Sequence, residues 1–307
     1  MKNLNEIKEL QQFTNLDFVA KQVVEGFITG MHRSPFHGFS VEFAEHRAYN
    51  TGESIRHIDW KLYGRTEKLF VKRFEEETNL RSRIIIDTSS SMYYPYKEKG
   101  INNKLFFSVY CAASLIFLLR KQRDAVGISL FSDKVDVHTQ IRLSTLHAQL
   151  MFAKLEELLH PDKEMLNRST NAAENLHYIA ENTHKRSLVI IFSDMFDQGN
   201  HEELFSALQH LRYKKHEVIL FHVTDKKHEE QFDFQNRPYK FIDMETSEIM
   251  KVNPAEIREK YKELVTRYFE ELKLRCTQFE IDFVESDINE DFSKVLMAYL
   301  IKRRRLY

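Results

Sequence analysis

The chain has 307 residues, 45 basic and 46 acidic, and 42% of it is hydrophobic. Those proportions describe a soluble globular protein of one large domain or two modest ones, not a disordered chain. A net charge of −1 gives no general electrostatic case for binding nucleic acid.

Met1 to Lys8 places charges where a signal peptide needs its apolar segment, so a cytoplasmic protein is expected. Cys111 and Cys276 lie far apart, show no metal-binding spacing and suit the same reducing compartment. Residues 5–32 carry Leu10, Phe13, Phe18, Val19, Val23, Val24, Phe27 and Ile28 at helical spacing and predict one or two helices. Residues 36–77 turn dense in aromatic and charged side chains, with Gly52 and Gly64 as turns. Leu69 to Phe74 reads as a strand, and Asn79 to Asp87 as the next strand returning from it.

From there, strands near 82–87, 125–131, 134–138, 187–193, 216–223 and 279–285 alternate with helices. The helices fall near 103–122, 145–159, 171–182, 200–213, 254–277 and 289–303. Such alternation implies βαβ units: an α/β fold with a doubly wound, mostly parallel six-stranded sheet and helices on both faces. Only Ser132 and Asp133 separate the second and third of these strands, so that pair must be an antiparallel hairpin at one edge. Residues 1–79 are then an N-terminal extension, a helix followed by an aromatic and charged β segment, and residues 80–307 the α/β domain. The apolar run Leu105 to Leu119 is too short to span a hydrocarbon core of about 30 Å and reads as a helix buried on all sides. With 8 glycines there is no G-x-x-x-x-G-K-[ST] and no G-x-G-x-x-G, which leaves nucleotide binding by either route without support.

The most informative stretch is Asp87-Thr88-Ser89-Ser90-Ser91, which follows Ile84-Ile85-Ile86. An aspartate is costly inside a strand but tolerated at its C-terminal end, where α/β sheets bind ligands. Oxygens at i, i+2 and i+4 can converge from one loop on a hard cation such as Mg²⁺. The run Leu188 to Phe192 also ends in a hydroxyl and a carboxylate, Ser193 and Asp194. If these two strands are neighbours at the switch point of the sheet, both carboxylates share one crevice. Thr170, ahead of a helix, can add a ligand from a third segment.

Asp87, Ser89, Ser91, Thr170 and Asp194 together resemble the metal-ion-dependent adhesion site (MIDAS) of von Willebrand factor A domains, D-x-S-x-S…T…D. Upstream, Glu45 to Lys61, then Arg65 and Leu69 to Glu77, is similar to the R-x-Y-x-x-G-[DE]-x-x-R-x-I-D-W-K block of the DUF58 family, which precedes such a domain. The match runs from about residue 35 to residue 225. The resemblance implies a sheet ordered 3-2-1-4-5-6 with Mg²⁺, or else Mn²⁺ or Ca²⁺, at its top edge. Ser89, Ser91 and Thr170 would bind the ion directly or through water, and Asp87 and Asp194 would supply charge. An open coordination position would accept a carboxylate from a partner. The family usually has glycine ahead of the threonine, whereas Arg168 and Ser169 stand here, so either Ser169 or Thr170 can be the loop ligand. The tyrosine-rich stretch from Tyr93 to Asn103 can fold over the site.

Other features have plainer readings. Arg47, Arg56, Asp59, Lys61 and Arg65 make either a partner surface or an internal ion-pair network, with the second favoured, and Trp60 is a packing anchor. Asp124 to Gly127 is a turn into a buried strand. The 14 histidines show no ligand spacing and are expected to be solvated or capping. Lys302 to Arg305 is expected to complement a helix dipole and stay solvated.

The function that follows is a non-enzymatic, metal-dependent protein-interaction module. By resemblance, its partner is a MoxR-type AAA+ ATPase or a client protein, in the assembly or maturation of complexes. An Mg²⁺-dependent phosphohydrolase or phosphotransferase is the alternative, although Ser89 stands where haloacid-dehalogenase-type enzymes want a second aspartate. A peripheral membrane scaffold is the third reading. Relatives often carry transmembrane helices ahead of the domain, and this sequence shows none.

Overall fold

The computed structural model describes residues 15–32, 46–48, 60–67, 69–72, 80–95, 103–160, 170–196, 201–245, 248–291 and 293–306. The chain divides into two compact units, residues 28–79 and the remainder. In the smaller unit, β1 (His46–Ala48) pairs antiparallel with β2 (Phe70–Lys72), and α2 (Trp60–Thr66) lies between them in sequence. Arg47 thus falls in β1 and Lys61 in α2, Arg65 is exposed, and Arg56 and Asp59 lie outside the described residues.

The helix α1 (Leu16–His32) belongs to the larger unit as far as Phe27, and its first amide donates to Glu156 Oε1 at 2.8 Å. The larger unit is built on a six-stranded sheet ordered β10-β7-β6-β3-β4-β5: β10 (Asp282–Asp287), β7 (Glu217–Thr224), β6 (Leu188–Ser193), β3 (Arg81–Asp87), β4 (Ala125–Phe131) and β5 (Val135–His138). Counted along the chain this is the expected 3-2-1-4-5-6, parallel throughout except for β5, which pairs antiparallel with β4 at the edge. Central parallel strands are covered on both faces and therefore read as continuous apolar runs. Ile84, Ile85 and Ile86 of β3 and Val189 to Phe192 of β6 accordingly show no exposure.

Around the sheet lie α3 (Lys104–Lys121), α4 (Thr145–Glu157), α5 (Ala172–Asn182), α6 (His201–Tyr213), α7 (Pro254–Gln278) and α8 (Ser293–Leu306). Their starts are specified locally: the side chains of Asn103, Ser144, Asn171 and Asn253 accept from the first free amides of α3, α4, α5 and α7. Cys111 is buried in α3. No helix among the described residues is long and apolar enough to cross a membrane.

Several expectations need correction. β2 does not pair with the strand ending at Asp87; β2 pairs with β1, while β3 lies between β4 and β6. The last strand begins at Asp282, not near 279, because α7 runs on to Gln278 and closes in a Schellman motif. There Glu280 takes φ 55°, its amide donates to Thr277 O, and Ile281 N donates to Cys276 O at 2.8 Å. Lys302 and Arg303 of the basic C-terminus are not left to solvent: Lys302 pairs with Glu217 at 2.7 Å and Asp282 at 3.0 Å, and Arg303 pairs with buried Asp124, while the side chains of Arg304 and Arg305 lie outside the described residues. Nor are all the histidines on the surface, since His216 and His222 are buried.

Gly127 is required by a close approach. A Cβ there would stand 2.9 Å from Gln140 O and 3.0 Å from Arg83 Nη1. The Arg83 guanidinium crosses to Ile128 O and Thr139 O at 2.9 and 2.6 Å, and burial lowers its pKa to about 10. Residues 226–252, left unassigned by the pattern, hold a π-helical turn at Lys226–Glu230 and an antiparallel hairpin of β8 (Tyr239–Ile242) and β9 (Ile249–Val252).

Candidate functional site

The order of the sheet reverses between β3 and β6, and their C-terminal ends are adjacent there. The last paired residues are Ile86 and Phe192, so Asp87 and Ser193 come next in register. The Ser193 hydroxyl donates to Asp87 Oδ2 at 2.8 Å, and the Ser89 amide donates to Oδ1 at 2.9 Å. The Thr88 amide and hydroxyl both turn to Phe131 O, which pins the loop to β4. A single 3₁₀ turn, Ser90–Tyr93, then brings the Ser89 and Ser91 hydroxyls within 3.1 Å of each other. Burial, and then repulsion from Asp194, push the Asp87 pKa up to about 7 against the hydrogen bonds from Ser89 and Ser193. Asp87 and Asp194 therefore share one crevice.

Asp194 has different company. Its Oδ1 accepts from Phe196 N at 3.1 Å, and its Oδ2 accepts from Lys104 Nζ at 2.7 Å. Lys104 is the first residue of α3, 1% exposed, and its ammonium also reaches Glu229 Oε1 at 2.5 Å. Burial alone would depress this lysine, but Asp194 and Glu229 outweigh it and hold the pKa above the usual value, so the group stays charged. Beneath, His222 Nε2 donates to the Asp194 carbonyl at 2.9 Å, and burial lowers its pKa to about 4, so the ring is neutral.

The third segment is held by Ser132, whose carbonyl accepts from Asn171 N at 3.1 Å and from Asn175 Nδ2 at 3.0 Å. This leaves Thr170 with its amide facing Glu245 Oε2 at 3.4 Å and its hydroxyl oxygen buried without a hydrogen-bond partner among the described residues. Glu245 belongs to the turn between β8 and β9. Burial, then repulsion from Asp194, push its pKa up to about 7, with Asp87 adding to the effect and the Thr170 amide opposing it. Ser169 and residues 96–102 of the tyrosine-rich stretch lie outside the described residues.

Among the described residues no group of three or more His, Cys, Asp or Glu side chains is arranged to hold a metal. The donors here are hydroxyls with two carboxylates, a hard-oxygen set suited to Mg²⁺ or Ca²⁺ rather than to zinc. The orphaned Thr170 hydroxyl fits such an ion, because a buried hydroxyl without a partner is costly. Lys104 opposes it: the ammonium already neutralises much of Asp194.

Lys104, Glu229 and Glu245 were missed by sequence reasoning. Lys104 did stand at the start of an Asn-capped helix following a strand-end loop, which in a doubly wound sheet faces the crevice. Nothing comparable marked the two glutamates.

A doubly wound sheet in this order, with Asp-x-Ser-x-Ser after its first strand and a second aspartate ending the neighbouring strand, defines a von Willebrand A-like domain. The chain belongs to the DUF58 family, described as "Protein of unknown function DUF58", which matches residues 45–271. It is 21% identical over 225 residues to uncharacterized protein Rv1480 of Mycobacterium tuberculosis, covering 73% of this chain and 68% of that one. Uncharacterized protein Mb1516 of Mycobacterium bovis matches to the same extent. Among solved structures, BatB from Bacteroides thetaiotaomicron aligns at 12% identity and a TM-score of 0.44, over 74% of this chain and 100% of that one. The SpRpn10 VWA domain aligns at 8% identity and a TM-score of 0.36, over 71% and 93%.

Proposed function

We propose that the protein is a non-enzymatic, metal-dependent interaction module. The observation that carries this is the meeting, at one switch point, of Asp87, Ser89 and Ser91 with Asp194, beside a Thr170 hydroxyl that has no partner among the described residues. Mg²⁺, or Mn²⁺ or Ca²⁺, would be held by Ser89, Ser91 and Thr170, with Asp87 and Asp194 supplying charge. Such an ion acts as a Lewis acid able to bind an incoming carboxylate. The chain's own residues hold the geometry: Ser193 ties Asp87 to β6, and Lys104 fixes Asp194 in place. Ser89, two residues after Asp87, supports binding over phosphoryl transfer, because a hydroxyl stands where that chemistry wants a second carboxylate.

The partner we propose is a MoxR-type AAA+ ATPase or its client, on the strength of membership in the family. A cytoplasmic setting belongs to the same proposal, supported by Cys111 and Cys276, both buried and unpaired. Surface plasmon resonance with a purified MoxR-type ATPase tests it. Binding should require a divalent ion and disappear in Asp87→Ala with Mg²⁺ still present. The second arm decides, since the ATPase itself uses Mg²⁺. Undiminished binding by Asp87→Ala would remove the proposal.

A further inference from the structure

The histidines show no ligand spacing along the chain, yet the fold brings two of them together. His177 belongs to α5 and His210 to α6, and their Nδ1 atoms stand 2.9 Å apart. Both line a surface cavity of about 610 Å³ that reaches the C-terminal end of α7, with Ser206, Gln209 and Gln278 as polar neighbours. A volume of this order suits a small ligand. The surroundings decide the tautomers. Glu181, one turn beyond His177, accepts from His210 Nε2 at 2.9 Å and from Lys214 Nζ at 2.6 Å. In neutral His210 the proton therefore sits on Nε2, and Nδ1 offers its lone pair to His177.

An imidazole tied to a carboxylate at one nitrogen, with the other nitrogen free to accept, is how proteins orient a metal-binding histidine. Two imidazole nitrogens on one tetrahedral ion, each bonded at about 2.0–2.1 Å, are about 3.3 Å apart. This pair needs to open by only about 0.4 Å, once His177 moves its proton from Nδ1 to Nε2. That shift leaves the ring neutral and releases no proton. The cations nearby are engaged, Lys214 with Glu181 and Arg212 with Glu280 at 2.6 Å. Imidazole suits zinc and copper, whereas the hydroxyls and carboxylates of the sheet crevice suit Mg²⁺, so the two places select different ions. No third His, Cys, Asp or Glu among the described residues completes the shell. The remaining positions are open to water or to a small ligand in the cavity.

We propose that His177 and His210 form a two-histidine site for a transition-metal ion of the zinc or copper type, bridging α5 and α6, with Glu181 as the residue that positions His210. The site is independent of the metal-dependent reading of Asp87 and its neighbours.

The test uses Cu²⁺, which nitrogen sites hold more tightly than zinc and whose paramagnetic resonance spectrum counts the coordinated nitrogens. The full chain, free of any affinity tag and in excess Mg²⁺, is titrated as wild type, His177→Ala, His210→Ala, Glu181→Gln and Asp87→Ala. His177 is half-buried, so His177→Ala keeps the fold and decides the matter even if His210→Ala does not. Wild type and Asp87→Ala should each bind one Cu²⁺ through two nitrogens. Either histidine variant should lose the two-nitrogen spectrum, with affinity down by more than about tenfold. Glu181→Gln should keep that spectrum and bind about tenfold more weakly, because it frees the ring without removing a ligand. A two-nitrogen spectrum that survives in His177→Ala would place the ion on other histidines and overturn the site. So would a wild type that binds no Cu²⁺ or binds it through one nitrogen, or a loss of the ion in Asp87→Ala. Glu181→Gln indistinguishable from wild type would overturn the positioning role.

Discussion

Asp87 and Asp194 occupy equivalent places, one at the end of β3 and the other just past β6, yet their surroundings differ in kind. Among the described residues Asp87 is held by neutral donors, the Ser193 hydroxyl and Ser89, and burial pushes its pKa up to about 7. Asp194 is bonded to a buried ammonium. The strand ends supply two similar carboxylates, and the segments that follow make one a charge in need of a cation and the other a charge that has one. The divalent-ion binding proposed for this crevice would therefore depend chiefly on the Asp87 side. Lys104, reaching both Asp194 and Glu229, links the crevice to the π-helical turn after β7.

Removing the ammonium breaks the contrast most severely. Lys104→Met keeps the length of the side chain but strands buried Asp194 and half-buried Glu229, which should cost about 3–5 kcal/mol. Urea denaturation in chelator measures it, and a loss under about 1 kcal/mol would show that Lys104 does not hold the crevice together.

Neutralising each aspartate in turn sharpens the comparison. Asp194→Asn leaves Lys104 with Glu229 alone and should cost about 2–3 kcal/mol, in the range for hydrogen bonds to charged groups. Asp87→Asn can still accept from the Ser89 amide and donate to the Ser193 oxygen, so without metal it should cost less than about 1 kcal/mol. Equal losses at the two positions would refute the asymmetry.

The asymmetry was only half legible in the sequence. Asp87, Ser89 and Asp194 could be found because each sits just beyond an apolar run whose end a reader can see. Lys104 is 90 residues from Asp194, and Glu229 is 125 from Lys104. Only the order of the strands brings them together, and no local pattern encodes that proximity. Glu245 was harder still, because β8 and β9 are four residues each and lie outside the main sheet. The burial of Lys302 and Arg303 was misjudged for a related reason. Their partners, Glu217, Asp282 and Asp124, come from three separate segments, so the cluster has no signature along the chain.

The pH profile separates the two aspartates more gently. The ordinary pKa of Asp87 is 3.8 and its folded value is about 7, so between these limits the unfolded chain releases a proton that the folded chain keeps. The stability Asp87 contributes is complete below the lower value and is lost as pH rises through the upper one. The slope is about 1.4 kcal/mol per pH unit at most. In chelator, wild type should therefore lose stability relative to Asp87→Asn between about pH 4 and pH 7, with a plateau above. Mg²⁺ should flatten or reverse this difference, since a bound cation favours the carboxylate. A profile that ignores Mg²⁺ would mean that no ion is held at Asp87.

The smallest effect is expected at Ser193, where the two strands meet. Its hydroxyl donates to Asp87 Oδ2 and accepts from Met195 N at 2.9 Å. Ser193→Ala removes both bonds, and because the neutral aspartic acid can keep its own proton, the cost should be only about 1 kcal/mol. The loss falls on one strand end, since Asp194 keeps Lys104. The apparent pKa of Asp87 should rise further, because the Ser193 bond favours the ionised form. Thermal melts across pH would show the drop in stability relative to Asp87→Asn extending to higher pH in Ser193→Ala. A profile that does not move would indicate that burial and Asp194 alone set the titration of Asp87, leaving the hydroxyl a purely structural clasp between β3 and β6.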